Sequence, residues 1–296
     1  MDKSINQIIK SAIDLHFHIG PEIIPRKFNN VEELIKNIKG KLNGIVLKNH
    51  FYPTTPFINE TKNNSKLKII GSIVLNNSVG GLNSDAIYAA SILSSKPIIV
   101  WFPTISAKNF LEKTKYEIAP EWVNKKDFKA RLSKSVNGIY ILDQEGNLSK
   151  ETAEVLQAIK KTNSILATGH ISSKETKKLI KKAINIGVKK IVITHPIYQK
   201  INMSINDQIS LAKKGCFIES CYSMYSIDRI PISKIAYQIK RIGPDNIILS
   251  SDVGQKFSPN PDIALKIFCQ LLIKKGITLR MLYQMLVKNP RLIVEG

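Results

Sequence analysis

Residues 165–195 read ILATGHISSKETKKLIKKAINIGVKKIVITH. The stretch opens on a short apolar run, Ile165–His170, and closes on another, Ile191–His195. Both runs are continuously apolar rather than alternating, as expected of parallel strands covered on both faces. Between them, Ser173–Ile186 repeats at helical spacing, with Leu179 and Ile180 marking a buried side and lysines a wet one. The unit is strand, helix, strand, and each strand ends in histidine.

The same unit recurs outward. His170 to His195, His195 to Ser220 and His50 to Leu75 are each 25 residues, a normal length for loop, helix and next strand. Strand-like runs at Ala12–His18, Gly44–His50, Ile69–Leu75, Pro97–Phe102, Phe217–Ser220 and Ile247–Asp252 bring the number to eight. Helical patterns at Ser84–Ser94, Glu151–Lys161, Ile205–Lys214 and Ile232–Ile242 lie between them. This alternation predicts an α/β fold, a (β/α)8 TIM barrel in a single domain spanning residues 1–296. The 68-residue gap from Phe102 to His170 is the outlier. It contains Gly138–Leu142, then Asp143-Gln144-Glu145-Gly146, then Asn147-Leu148. We read this as a small β-hairpin inserted after strand four, about residues 124–149. Helices Asp262–Lys275 and Thr278–Lys288 close the chain, and Pro290 is expected to stop the last one.

Composition excludes several classes. With 296 residues and 43% apolar content the chain is globular, neither disordered nor fibrous. No apolar run reaches the ~18 residues of a membrane span. The opening MDKSINQIIKSAIDLHFH lacks an apolar signal region. Cys216, Cys221 and Cys269 form neither a disulfide framework nor a zinc knuckle, so the expected compartment is the cytoplasm, with no membrane partner. Lys and Arg outnumber Asp and Glu 44 to 23, a net charge of +21. Such a balance suits a nucleic-acid binder. Here the lysines are spread over helical faces, and the richness in Ile, Asn and Lys matches A+T-rich codon usage. The charge therefore does not single out nucleic acid, and a small-molecule substrate is the expected partner.

The histidines carry the chemistry. There are five, His16, His18, His50, His170 and His195, and each ends a run read as a strand. In a barrel, the C-terminal ends of strands face the active site. A lone strand-end histidine is usually a satisfied polar core group, and a lone aspartate there is often a helix cap. The ordered set is different. His16 and His18 stand at i and i+2, where side chains share a face. His170 ends strand five, His195 strand six, and Asp252 strand eight. Four imidazoles and a carboxylate suit a zinc-like divalent ion with an open position for water. Such an ion makes hydroxide available at neutral pH. Asp252 could hold that water, accept its proton and pass it to a leaving group.

Asp14-Leu15-His16-Phe17-His18, His170, His195, Asp252 and the closing Met285–Leu292 resemble the metal-dependent amidohydrolase superfamily. Gly44–His50 and Ala167–His170 resemble an uncharacterised branch of it. The resemblance runs from residue 14 to the C-terminus. It implies hydrolysis of amide or ester bonds at carbon or phosphorus, with His16, His18, His170, His195 and Asp252 on metal-binding and acid–base positions; His195 and Asp252 are the implied catalytic pair. Two-metal members carry a bridging carboxylated lysine or glutamate at the end of strand four. Here that strand reads Ile98-Ile99-Val100-Trp101-Phe102-Pro103-Thr104, without either. Lys48, ending strand two, is the alternative bridge; otherwise it stays an ammonium that binds an anionic substrate or a neighbouring carboxylate. His50 shares its face, as a metal ligand or a substrate contact. Arg26 could fork onto a carboxylate or phosphate, and Tyr198 could donate to a developing oxyanion.

The expectation is thus a hydrolase of a small-molecule amide, cyclic amide, lactone or ester. It would use one or two divalent ions, zinc before manganese, iron or nickel. The alternatives are a one-metal decarboxylase or lyase of the same superfamily, a nuclease like the TatD group, and a non-catalytic binding barrel. Barrels of this kind often dimerise, which leaves a homodimer open.

Overall fold

The eight expected strands form where the apolar runs stand. In a computed structural model describing residues 2–60, 66–114, 116–118 and 137–296, they are β1 (Ile13–His18), β2 (Gly44–Lys48), β3 (Lys68–Ile70), β4 (Ser72–Val74), β5 (Ile99–Trp101), β6 (Ile165–Ala167), β7 (Ile191–Ile193), β8 (Phe217–Cys221) and β9 (Ile247–Ser250). All ladders are parallel. The expected third strand is split at Gly71 into β3 and β4. Thr54 causes the split: the Ser72 N–H donates to Thr54 Oγ1, and the Ser72 carbonyl accepts from the Thr54 N–H. The ladder groups that would extend β3 along β2 are thus taken.

The pairing accordingly runs β1-β2-β3 and β4-β5-β6-β7-β8-β9, two parallel sheets rather than the unbroken eight-stranded ring predicted. Their edges meet at the chain-continuous break around Gly71 and beside β1. At β1, His18 N–H donates to the Val253 carbonyl at 2.8 Å and Asp252 N–H to the His16 carbonyl at 2.8 Å.

Apolar side chains divide between two layers, which is why the strands read as continuous runs. Val46, Val74, Trp101, Ala167, Val192 and Ile248 pack together on the inner side. Ile45, Leu47, Val100, Leu166, Ile193 and Leu249 pack outward. The outer layer meets helices Ser84–Ile92, Lys150–Lys161, Ser173–Asn185, Ile205–Lys213, Ile232–Ile242 and Pro261–Ile273, close to their predicted bounds. Ser173–Asn185 starts at a capping box: the Ser172 hydroxyl accepts from Glu175 N–H while the Glu175 carboxylate accepts from Ser172 N–H.

Two further expectations are corrected. Pro290 does not end a helix. It sits in the first turn of helix Asn289–Glu295, where a missing N–H costs nothing. A π-helical turn, Gln284–Lys288, connects it to Leu279–Tyr283. Ile293 and Val294 then pack into the inner layer, so burial favours continuing the chain as helix. The inserted hairpin, among the described residues, is a single antiparallel bridge, Leu142 to Leu148, around a turn at Asp143. Its first arm bonds elsewhere. Ile139 exchanges backbone hydrogen bonds with Ser106 and Lys108, while Ile141 N–H donates to Glu175. Residues 124–136 of the expected insertion lie outside the described residues. No described helix is long and apolar enough to cross a membrane.

Candidate active site

Strand alternation alone would put His16 and His18 on the face opposite Leu15. Leu15 packs on the inner side and Phe17 on the outer, and the register of β1 against β2 shifts between Asp14 and Phe17. This irregularity reverses the alternation, so both imidazoles turn inward after Leu15. Bulges of this kind commonly re-aim side chains beside active sites. Lys48, one position beyond Leu47, also points inward.

His16 is the hub and is fully buried. Its Nδ1 lies 3.1 Å from Glu219 Oε1. Its Nε2 lies 3.0 Å from Asp252 Oδ1 and 2.9 Å from Lys48 Nζ. His18 Nε2 meets the same Asp252 Oδ1 at 3.0 Å. The donor atoms of His16, His18 and Asp252 all fall within 4.8 Å of one another. The His195 ring stacks 5.8 Å from that of His16, and the His170 ring lies 5.2 Å from that of His195. Asp252 Oδ2 accepts from Ser223 Oγ at 2.6 Å.

Two backbone details hold this cluster. His195 and Asp252 have positive φ, 22° and 50°, a strained conformation for side chains of this kind and one that tends to mark functional sites. Gly169, at φ 60°, precedes His170; a Cβ there would overlap the carbonyl oxygens of Phe102 and Pro103. No other residue lets that turn pass so close to the end of β5.

Burial sets the electrostatics. It holds His18, His50 and His170 well below the usual histidine range, and His195 at about 4. Burial also lowers Lys48, partly opposed by Asp252 and Glu219. For Asp252 burial acts upward, but His16, His18 and His195 together hold the carboxyl well below its ordinary value. Glu219 is likewise lowered, burial being outweighed by His16. The result at neutral pH is ionised Asp252 and Glu219 carboxylates, with His18, His50, His170 and His195 neutral.

His195 gives a direct check. A group whose folded-state pKa is depressed binds its proton more readily in the unfolded chain, so its stability contribution is present above about pH 6.5 and lost as pH falls. In metal-free protein, unfolding free energy of wild type relative to His195→Asn is expected to fall by about 3 kcal/mol between pH 7 and pH 4. Urea titrations across that range measure it; a flat difference would contradict a neutral buried His195.

The residues expected to bind substrate are placed as follows. Tyr198 has its ring 5.5 Å from both His170 and His195, and its hydroxyl accepts from Lys200 Nζ at 2.8 Å. The His50 ring lies 4.7 Å from that of His18, tilted by 43°, with Nδ1 3.0 Å from Thr104 Oγ1. Arg26 is buried; its Nε donates to Glu22 and its Nη2 lies 3.2 Å from His18 Nδ1. Arg26, Lys48, His50, Tyr198 and the strand-end histidines other than His16 line one cavity of about 500 Å³, with Phe110, Met224 and Asp228 on its outer wall. Sequence reasoning missed Glu219 and Glu22. The available signal for Glu219 was an acidic residue inside the apolar run of β8.

A divalent ion fits these residues. Among the described residues, His170 Nδ1, His195 Nδ1 and Glu219 Oε2 are buried without a hydrogen-bond partner. With Nδ1–H donating to Glu219, His16 presents the Nε2 lone pair, now facing the Lys48 ammonium, to a cation. His18 reaches the same state only once Arg26 moves off its Nδ1, because a guanidinium is solely a donor.

The class the fold defines is an α/β assembly of parallel strands with its polar residues gathered at the strands' C-terminal ends. Among solved structures, an amidohydrolase from Pseudomonas aeruginosa is similar over 98% of this chain and 97% of its own, at 12% identity and a TM-score of 0.61. A Pseudomonas putida protein assigned as a 2-pyrone-4,6-dicarboxylic acid hydrolase covers 96% and 97% at 10% identity and 0.56. A Xaa-Pro dipeptidase covers 96% and 75% at 11% identity and 0.57. At these identities the likeness concerns the fold. No curated protein sequence matches the chain. The chain belongs to DUF6282, a family of unknown function, whose model matches residues 11–219.

Proposed function

We propose that this protein is a metal-dependent hydrolase of amidohydrolase type, acting on a small-molecule amide, cyclic amide, lactone or ester. One observation carries the reading: His16, His18 and Asp252 converge from β1 and the end of β9 to within 4.8 Å, and His18 and Asp252 line a half-open cavity together with His170 and His195. Likeness of fold to an amidohydrolase over nearly the whole of both chains supports it.

In this reading His16, His18, His170, His195 and Asp252 would hold one or two divalent ions, which would supply a Lewis acid and acidify a water. Asp252 accepts a proton and returns it to the leaving group, with Ser223 fixing its second oxygen. His195, where its lone pair is not given to an ion, would take part in the same transfer as a neutral imidazole. Tyr198, whose hydroxyl burial keeps protonated, donates to a developing oxyanion. Arg26 and His50 orient substrate from the wall on the β1 and β2 side. Phe110 and Met224 exclude water.

A one-metal lyase or decarboxylase is the second reading, and Thr104 favours it. Thr104 follows β5, where a bridging acid or lysine would stand, and its hydroxyl is engaged by His50 and Asn76. Counting metal in protein purified without chelator, wild type and Lys48→Ala, separates the two. About two ions per chain falling to one in the variant identifies Lys48 as a bridge and supports two-metal hydrolysis. One ion in both favours the mononuclear reading. No ion, even after zinc or manganese is added, removes both.

A further inference from the structure

We infer that Glu219 is a positioning residue: it holds His16 with Nδ1 protonated and Nε2 open toward the cation, and its charge sets the affinity of that site. The inference rests on the reading of His16 as a metal ligand.

The two histidines of the β1 pair are supported differently. His18 has an obligate donor, Arg26, on its Nδ1, which favours a proton on Nε2. His16 has an acceptor there, Glu219 Oε1 at 3.1 Å, which favours the opposite tautomer. On Nε2, His16 meets both the Asp252 carboxylate at 3.0 Å and Lys48 Nζ at 2.9 Å; with Nδ1–H given to Glu219, the Nε2 lone pair accepts from Lys48, so His16 is set to ligate through Nε2 and His18 is not. Glu219 is itself 2% exposed and lies in β8 between Ile218, packed outward, and Ser220, whose hydroxyl donates to Gln238. A carboxylate in such surroundings is costly to bury. Its side chain has one described hydrogen-bond partner, His16, while Oε2 has none. Packing does not explain it; orienting and enriching the electron density of an imidazole does. A carboxylate behind a metal-ligating histidine typically changes metal affinity 10- to 100-fold.

Cys221 offers a competing role. The donor atoms of His16, Glu219 and Cys221 also lie within 4.8 Å of one another, so Glu219 could be a ligand in a second, deeper site. Zinc titration of the full chain, wild type against Glu219→Gln, distinguishes these. Glutamine keeps the shape and can still accept from Nδ1–H but carries no charge. We expect the folded variant to bind the same number of zinc ions with Kd raised about 10- to 100-fold. An unchanged Kd overturns the inference, as does loss of one ion with the remaining Kd unaltered, which makes Glu219 a ligand. Wild type that binds no zinc removes the metal reading itself, a result distinct from either. Should the variant not fold, nitrogen-15 NMR of wild type decides. Zinc-loaded protein with a proton on His16 Nδ1 supports the inference; one with Nε2 protonated overturns it.

Discussion

Changing His16 to asparagine is expected to remove bound metal and hydrolytic activity together. His16 is the residue on which the other groups converge: Asp252 and Lys48 lie against Nε2 and Glu219 against Nδ1. Asparagine is too short to replace either contact, and it frees the Lys48 ammonium to pair with Asp252 directly. The loss in zinc affinity should exceed the ~100-fold upper range seen when a supporting carboxylate is removed. Some stability is lost as well, since Glu219 is left buried without its partner, at a cost of about 1–3 kcal/mol. Elemental analysis, turnover of a panel of small amides, lactones and esters, and thermal unfolding of the same preparation read all three. A folded His16→Asn protein with wild-type metal content would show that the cluster is not the metal site.

The second large effect is expected at Asp252. Its Oδ1 faces both β1 imidazoles and its Oδ2 is held by Ser223, so the carboxylate is fixed in orientation and kept ionised. Asparagine preserves the shape, one oxygen and the packing, but cannot accept and return a proton. Activity should fall by about 10²–10⁴, the range of a lost general acid–base group, while most of the metal remains on the four histidines. Metal lost in proportion to activity would instead make Asp252 chiefly a ligand. Full activity would take it out of the mechanism. The pairing of the two variants matters: one should abolish binding and chemistry, the other chemistry alone.

The parallel strands and the gathering of histidines at their ends were legible in the sequence, because both depend on local pattern. A run such as Ile191-Val192-Ile193 suits a strand covered on both sides, and of the five strand-end histidines His18, His50, His170 and His195 line the cavity while His16 does not. His16, His18, His170, His195 and Asp252 were picked out that way; the ligand atoms of His16, His18 and Asp252 lie within 4.8 Å of one another, and the His195 and His170 rings follow beside them. What pattern could not decide depends on partners distant in the chain. The turn of His16 and His18 inward follows from the irregular register between β1 and β2, since period-two alternation by itself assigns them to the other face. Glu219 meets His16 across 203 positions of sequence, and its charge is intelligible only beside that ring. Arg26 looks like a free loop cation until Glu22 and His18 are seen on either side of it. Pro290 reads as a stop until the inner layer offers Ile293 and Val294 a place to pack. Hydrophobic periodicity is a property of neighbours in the chain and survives in the sequence; tautomers, ion pairs and register are set by neighbours in space, and tertiary structure alone supplies those.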